Sequence, residues 1–187
     1  MAQSDRDKWN SRYLSSMKGM PNPPVSLLAH QQYLIEGSLL DVASGEGAVS
    51  LHVASLANMK VTAIDVSHIA LDTLTNLAAQ SGVSINTQCL DLDELSEVAN
   101  LGQFNNISIF RYKPSIALFQ QLATLLSSNG CLILSTFNIK HSQTASFPER
   151  LSLKDHEFLN VDSRLSLVSY QQSACAPFTD TYVFKKI

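Results

Sequence analysis

From residue 38 onward the chain alternates short apolar runs with longer stretches of helical periodicity, and this alternation restricts the fold more than any other feature. Ser38-Leu39-Leu40-Asp41-Val42-Ala43 is a compact strand-like run ending in Gly45-Glu46-Gly47. Residues 48–57 are then apolar almost all round, as suits a helix packed on a sheet. Met59 to Asp65 gives a second strand. Ser67 stands where an N-cap belongs, and Ala70, Leu71, Leu74, Leu77 and Ala78 recur at helical spacing until Gly82 stops the helix. Val83 to Leu90 reads as a third strand, residues 93–101 as a short acidic helix, and Asn106 to Phe110 as a fourth strand. Pro114 suits the first turn of a helix carrying Leu118, Leu122, Leu125 and Leu126, which Asn129-Gly130 ends before a fifth strand, Cys131 to Leu134. Such alternation predicts a parallel, doubly wound sheet with right-handed crossovers.

The ending differs. A polar stretch at 138–150 leads to a weakly patterned helix near 153–160, and two strand-like runs follow, Arg164 to Gln171 and Phe178 to Lys186. Their connection around Cys175-Ala176-Pro177 is too short for a helical crossover, so they must pair antiparallel. The expected fold is therefore α/β: one Rossmann-like, seven-stranded sheet of five parallel strands and a C-terminal antiparallel pair, with helices on both faces. The whole chain of 187 residues suits a single domain, and no shift of composition marks a boundary within it.

Composition removes several function classes. The net charge is −3 with no stripe of Lys or Arg, which argues against nucleic acid as a partner. No apolar run approaches the roughly 18 residues of a membrane span, and the opening MAQSDRDKWN is too polar for a signal peptide. Cys89, Cys131 and Cys175 are widely spaced without a C-x-x-C, and read as buried thiols of a reducing cytoplasm. His30, His52, His68 and His156 share no spacing, so no metal site is expected.

In open α/β sheets ligands bind beyond the carboxyl ends of the strands, near the point where strand order reverses. Asp41 and the run Ala43-Ser44-Gly45-Glu46-Gly47 stand at the first such end, Asp65 at the second, Asp91 after the third and Arg111-Tyr112 after the fourth. Gly45 and Gly47 let the backbone turn sharply and approach a ligand at a helix start. Asp65 lies 18 residues past Gly47, where such folds place a ribose-binding acid, and one carboxylate can accept from two vicinal hydroxyls. Asp91 can accept from an adenine amino group while the next backbone N–H meets a ring nitrogen. Together these describe an adenosine site. A pyrophosphate fingerprint would need a third Gly at position 50, where Ser50 stands.

Leu39 to Gly47 resembles the glycine-rich first motif of class I S-adenosylmethionine-dependent methyltransferases, Val61 to Ser67 their ribose-acid motif, and Leu90-Asp91-Leu92 their adenine motif. Trp9-Asn10-Ser11-Arg12-Tyr13 resembles the W-[DN]-x-R-Y element that opens the tellurite-resistance and thiopurine-methyltransferase-like branch. Phe110-Arg111-Tyr112 and Thr136-Phe137 are similar to that branch as well. Two departures stand out: Asn105-Asn106 replaces a common Asp, and 138–150 is short and lacks a Gly/Pro-rich pattern.

The resemblance implies S-adenosylmethionine as cofactor, S-adenosylhomocysteine as product, and a small-molecule methyl acceptor, the chain being a monomer or homodimer. Cofactor contacts are then expected from Asp41, Ala43, Ser44, Gly45, Gly47, Asp65, Val66, Asp91, Leu92, Phe110 and Arg111, with Trp9, Arg12 and Tyr13 in a lid formed by residues 1–30. Residues 38–137 would form the cofactor-binding core and 138–187 the acceptor-side loop and terminal strand pair. Tyr112, Phe137 and His141 would face the acceptor; no catalytic base is singled out. Two alternatives remain: a non-catalytic adenosylmethionine sensor or partner module, and a nicotinamide-dependent oxidoreductase, for which the chain has no second, substrate-binding domain.

Overall fold

A computed structural model describes residues 3–15 and 19–187; those parts of the expected N-terminal lid at 1, 2 and 16–18 lie outside the described residues. One seven-stranded sheet organises the chain, in the order β3-β2-β1-β4-β5-β7-β6. Strands β1 (Gly37–Val42), β2 (Met59–Asp65), β3 (Ile85–Cys89), β4 (Phe104–Phe110) and β5 (Leu126–Phe137) are parallel. β7 (Thr179–Lys186) runs antiparallel between β5 and β6 (Leu165–Gln172). The architecture read from the sequence, five parallel strands and an antiparallel pair, is the one observed. Strand order reverses between β1 and β4, so the cleft for a ligand opens there.

Each central strand is buried on both faces. Leu39 faces one apolar cluster with Val49, Val53 and Val61, while its neighbour Leu40 faces the other with Ile107, Phe119 and Leu122. The first face carries α2 (Val25–His30) and α3 (Ala48–Ala54), and α4 (His68–Gln80) covers its β2–β3 side through Leu71, Leu74 and Leu77. The opposite face carries α5 (Leu95–Ala99) and α6 (Ile116–Leu125). Ser67 caps α4, its Oγ accepting from Ala70 N at 3.2 Å. α1 (Gln3–Leu14) packs against α4.

Three local expectations are corrected. α6 stops at Leu125 and passes straight into β5, so Leu126 is extended rather than helical. Asn129, at φ +61°, and Gly130 instead form an irregularity inside the β4–β5 pairing. A Cβ at Gly130 would stand 2.7 Å from Ser127 O and 2.8 Å from Asn105 O, so close backbone approach explains that glycine. Ser115 caps α6 by accepting from Leu118 N at 3.1 Å, so Pro114 stands before the cap and not in the first turn of the helix. Residues 153–160 form turns, whereas the polar stretch expected as loop holds α7 (Ile139–Thr144) and a 3-10 turn at Glu149–Leu151. Asn138 makes that difference: its side chain caps α7, a local signal that hydrophobic periodicity does not register.

Of the three thiols only Cys131 is buried; Cys89 and Cys175 are exposed. The reason is topological. β3 is an edge strand, and Cys175 lies in the β6–β7 connection. No helix among the described residues is long and apolar enough to cross a membrane.

Candidate functional site

The loop after β1 is bent by a run of left-handed residues: Ala43 at φ +55°, Gly45 at +54° and Gly47 at +86°. For Ala43 that backbone costs about 1–2 kcal/mol, which the surrounding bonds must overcome. They are present. Ser44 N donates to Ile64 O at 3.0 Å, and Gly45 N donates to Asp65 Oδ2 at 2.9 Å, so the end of β2 holds the end of β1. At Gly47 a Cβ would stand 2.1 Å from Leu74 Cδ1, which ties the start of α3 closely to α4.

The three acids take different environments. Asp41 is 1% exposed, Asp65 6% and Asp91 9%. Asp41 lies under the loop, its Oδ2 accepting from Ser50 Oγ at 2.6 Å and its Oδ1 from Ser108 Oγ at 2.9 Å. Burial lifts its pKa to about 6 against those two hydroxyl donors. Asp65 accepts from Gly45 N and, through Oδ1, from Ser67 N at 2.9 Å. Burial raises its pKa too, opposed by the Ser67, Gly45 and Val66 backbone donors. Each oxygen of Asp65 thus keeps a lone pair for a hydroxyl. Asp91 braces its own turn by accepting from Asp93 N at 3.0 Å.

Ser50 answers the missing third glycine. Its hydroxyl occupies the helix face turned toward Asp41, and it is fully buried. Ser50 and Ser108 are functional supports that sequence reading missed. The visible signal was a serine inside an otherwise apolar helix face, but its partner lay 9 residues away on another element.

α1 lies over this cleft. Asn10 Oδ1 accepts from Ser67 Oγ at 2.8 Å, and the Tyr13 hydroxyl lies 2.7 Å from where a Cβ on Gly45 would be. Burial raises the Tyr13 pKa, and the nearby Asp65 and Glu46 carboxylates raise it further. Trp9 stacks on Tyr13 at 6.0 Å and Arg12 sits over the Trp9 ring at 5.1 Å. The structure therefore brings Trp9, Arg12 and Tyr13 together with Ser44, Gly45 and Asp65.

Other expected contacts are redistributed. The side chains of Phe110 and Leu92 pack into the core, Phe110 with Leu39 and Ile133, Leu92 with Leu90 and Val98. Val66 is likewise buried. Tyr112 was expected on the acceptor side. Its phenol packs against the apolar cluster of the β4 face, and its pKa is pushed up to about 12 by burial and, after that, by the Asp93, Asp91 and Asp65 carboxylates. Arg111, at φ +55°, is exposed, with its N–H bonded to Ser135 O at 2.9 Å. Phe137 and His141 stand together past β5, with ring centroids 4.5 Å apart. Asn105 and Asn106, in place of the common Asp, brace the opposite end of the sheet: Asn106 Oδ1 accepts from Ile35 N and Asn105 Oδ1 from Ser38 N, both at 2.9 Å.

These residues fit an adenosine-bearing cofactor. Acids at adjacent strand ends match hydroxyl and amino donors, and the loop's tight path leaves room for a close approach. The Ser44 hydroxyl is buried with no hydrogen-bond partner among the described residues, an orphan a ligand could satisfy. No group of three or more His, Cys, Asp or Glu able to hold a metal occurs among the described residues.

Comparison with known proteins agrees. A family model described as a methyltransferase domain matches residues 39–130. A ubiquinone biosynthesis O-methyltransferase of Coxiella burnetii is 28% identical over 138 residues, covering 71% of this chain and 58% of the relative. The chain thus aligns with less than two thirds of that relative's length. TehB from Haemophilus influenzae superposes with a TM-score of 0.72 at 11% identity, over 97% of this chain and 67% of that one. Magnesium protoporphyrin IX methyltransferase from Synechocystis PCC 6803, solved with S-adenosylmethionine bound, superposes with a TM-score of 0.65 at 17% identity, over 98% and 80%. Residues 39–130 thus match a methyltransferase-domain model, and the seven-stranded sheet that carries them has the Rossmann-like fold of these methyltransferase structures.

Proposed function

We propose that this chain transfers the methyl group of S-adenosylmethionine to a small-molecule acceptor, with oxygen as the receiving atom. The observation that carries this reading is the placement of Asp41, Asp65 and Asp91 around the Gly45–Gly47 loop at the strand-order switch. The name of the Coxiella burnetii relative favours oxygen over sulfur or nitrogen. The Trp9-to-Tyr13 element and the likeness to TehB support a place in the tellurite-resistance-like branch, with no implication that tellurite is the acceptor.

When bound, the cofactor supplies an activated methyl on a sulfonium centre. The chain's own task is placement and exclusion of water. Asp65 accepts from the ribose hydroxyls while its other lone pairs keep the loop in place. Asp91 orients the adenine, and the N–H groups of the loop and the Ser44 hydroxyl meet the amino-acid portion. Asp41 adds negative charge beneath it. Arg12 and Tyr13 close the cleft from α1, within a single-domain, cytoplasmic protein that works as a monomer or homodimer.

Thermal-shift titration with S-adenosylmethionine, S-adenosylhomocysteine and NAD tests the binding half. Stabilisation by both sulfur nucleosides and not by NAD is expected, and no shift with either refutes the assignment. Transfer of labelled methyl to hydroxyl, thiol and amine acceptors tests turnover. Tight binding with no methylated acceptor would make the chain an adenosylmethionine sensor.

A further inference from the structure

Beyond the end of β5, three rings pack together outside the apolar clusters of the core. Phe137, the last residue of β5, lies nearly parallel to the His141 imidazole, with 16° between the planes. The Phe147 ring closes on both, 4.7 Å from Phe137 and 5.4 Å from His141 by centroid. Imidazole Nδ1 is shut in by this packing and has no hydrogen-bond partner among the described residues; Nε2 is not shut in. An unmatched buried nitrogen costs stability and calls for an explanation.

The mount of this ring is firm. Asn138 Oδ1 accepts from His141 N at 3.2 Å, and Asn138 Nδ2 donates to Asp180 Oδ1 at 2.7 Å. The Tyr170 hydroxyl donates to the other oxygen of Asp180 at 2.9 Å, so α7 is anchored to both β6 and β7. Leu153 N donates to Phe137 O at 2.8 Å, and Ile139 N donates to Leu153 O at 2.9 Å. Two cations of adjoining segments are committed elsewhere. Lys140 Nζ lies over the Phe178 ring at 4.3 Å, and Lys113 Nζ is held by Ser152 O and Glu157. The cluster begins at the carboxyl end of β5, the same edge of the sheet at which Asp65 ends β2, on the other side of the switch point between β1 and β4. Ligands of open α/β sheets bind past this edge, near the switch point.

We propose that His141 is a catalytic residue that takes the proton of a hydroxyl acceptor, and that this acceptor is a flat aromatic compound resting on the Phe137–His141–Phe147 rings. The proposal rests on the methyltransferase reading above and narrows its acceptor class. The acceptor oxygen forms a bond to the methyl carbon as the sulfur–methyl bond breaks, and that electron pair stays on sulfur. The O–H proton passes to His141 Nε2 and later to water. One positive charge thus moves from sulfonium to imidazolium, and the products are a neutral thioether and an aryl methyl ether.

The test compares wild type with His141→Asn and His141→Gln on two probes, catechol and 4-nitrophenol, at a pH where only the latter is already ionised. A positioned base contributes about 10²–10⁴-fold. Loss of kcat on that scale is expected for catechol, with KM changed less than about threefold. Loss with 4-nitrophenol should stay under about tenfold, because its proton is already gone. Adenosylhomocysteine affinity should be unchanged in both variants. Catechol added to cofactor-free wild type should also shift the one imidazole NMR signal that His141→Gln removes. Parallel losses on both probes, or no loss on catechol, overturn the role of His141. If wild type methylates neither probe, the aromatic-hydroxyl class falls. Thermal shift with adenosylhomocysteine then shows whether the methyltransferase reading falls with it.

Discussion

Asp65→Ala separates the two duties that the structure gives this carboxylate. Its oxygens accept from Gly45 N and Ser67 N, each at 2.9 Å, in a site only 6% exposed. Hydrogen bonds to a charged group contribute about 1.5–3 kcal/mol each, and both donors would be left unmatched. Against that, burial raises the Asp65 pKa, so its charge is held at a cost that alanine removes. The net loss of cofactor-free stability is therefore about 2 kcal/mol, or a fall in Tm of about 4–8 °C for a chain of this size. Cofactor binding loses a further pair of charge-assisted bonds to the ribose, about 2–3 kcal/mol, or roughly 30- to 150-fold in Kd. Denaturant unfolding without ligand gives the first number and calorimetric titration of adenosylhomocysteine into folded protein gives the second. A stability loss with Kd unchanged would refute the ribose assignment and leave Asp65 as a strut of the loop.

Asp41 carries a pH signature. Burial lifts its pKa from the ordinary 3.8 to about 6, so the folded protein binds this proton more tightly than the unfolded chain. Its contribution to cofactor-free stability is greatest below about pH 4 and falls as pH rises to about 6, by on the order of 2–3 kcal/mol. Asp41→Asn should flatten unfolding free energy across that window; an unchanged slope would mean the acid is not held as described. Ellman's reagent should titrate two thiols in the native protein, Cys89 and Cys175, and Cys131 only after unfolding. Three fast thiols would contradict the burial of β5. Removing residues 1–14 takes away Tyr13 and the Asn10–Ser67 bond, so cofactor dissociation should quicken while the far-ultraviolet circular dichroism of the sheet persists. A collapse of that signal would make α1 structural.

The sheet and its acids were legible because both are local in sequence. Each parallel strand is a short apolar run, and in this fold a residue just past such a run stands at the ligand edge whatever the side chain. Asp41, Asp65 and Asp91 could thus be located without any long-range information. What failed to show was whatever depended on a partner from another element. Tyr112 follows β4 directly, yet its packing against the apolar cluster of that face, which raises its pKa, depends on other elements and not on its place in the chain. The motif gives the position of Phe110 at the strand end, but not that strand alternation packs its ring in the core with Leu39 and Ile133.

Ser50 joins the two kinds of evidence. As a missing glycine it could be read from sequence, and it ruled against a pyrophosphate loop. As a donor to Asp41 it could not, because that bond exists only once α3 is laid against β1 and β4. The bond also explains why the substitution is compatible with this loop. A glycine at position 50 would leave Asp41 Oδ2 without its 2.6 Å donor in a site from which water is excluded, and burial would then push the acid further toward its neutral form. With Ser50 and Ser108 both donating, the carboxylate remains ionised near neutral pH, beneath the loop proposed to hold the methionine portion of the cofactor. The residue that departs from a dinucleotide fingerprint thus helps keep a buried carboxylate charged, as the proposed binding of a cationic cofactor requires.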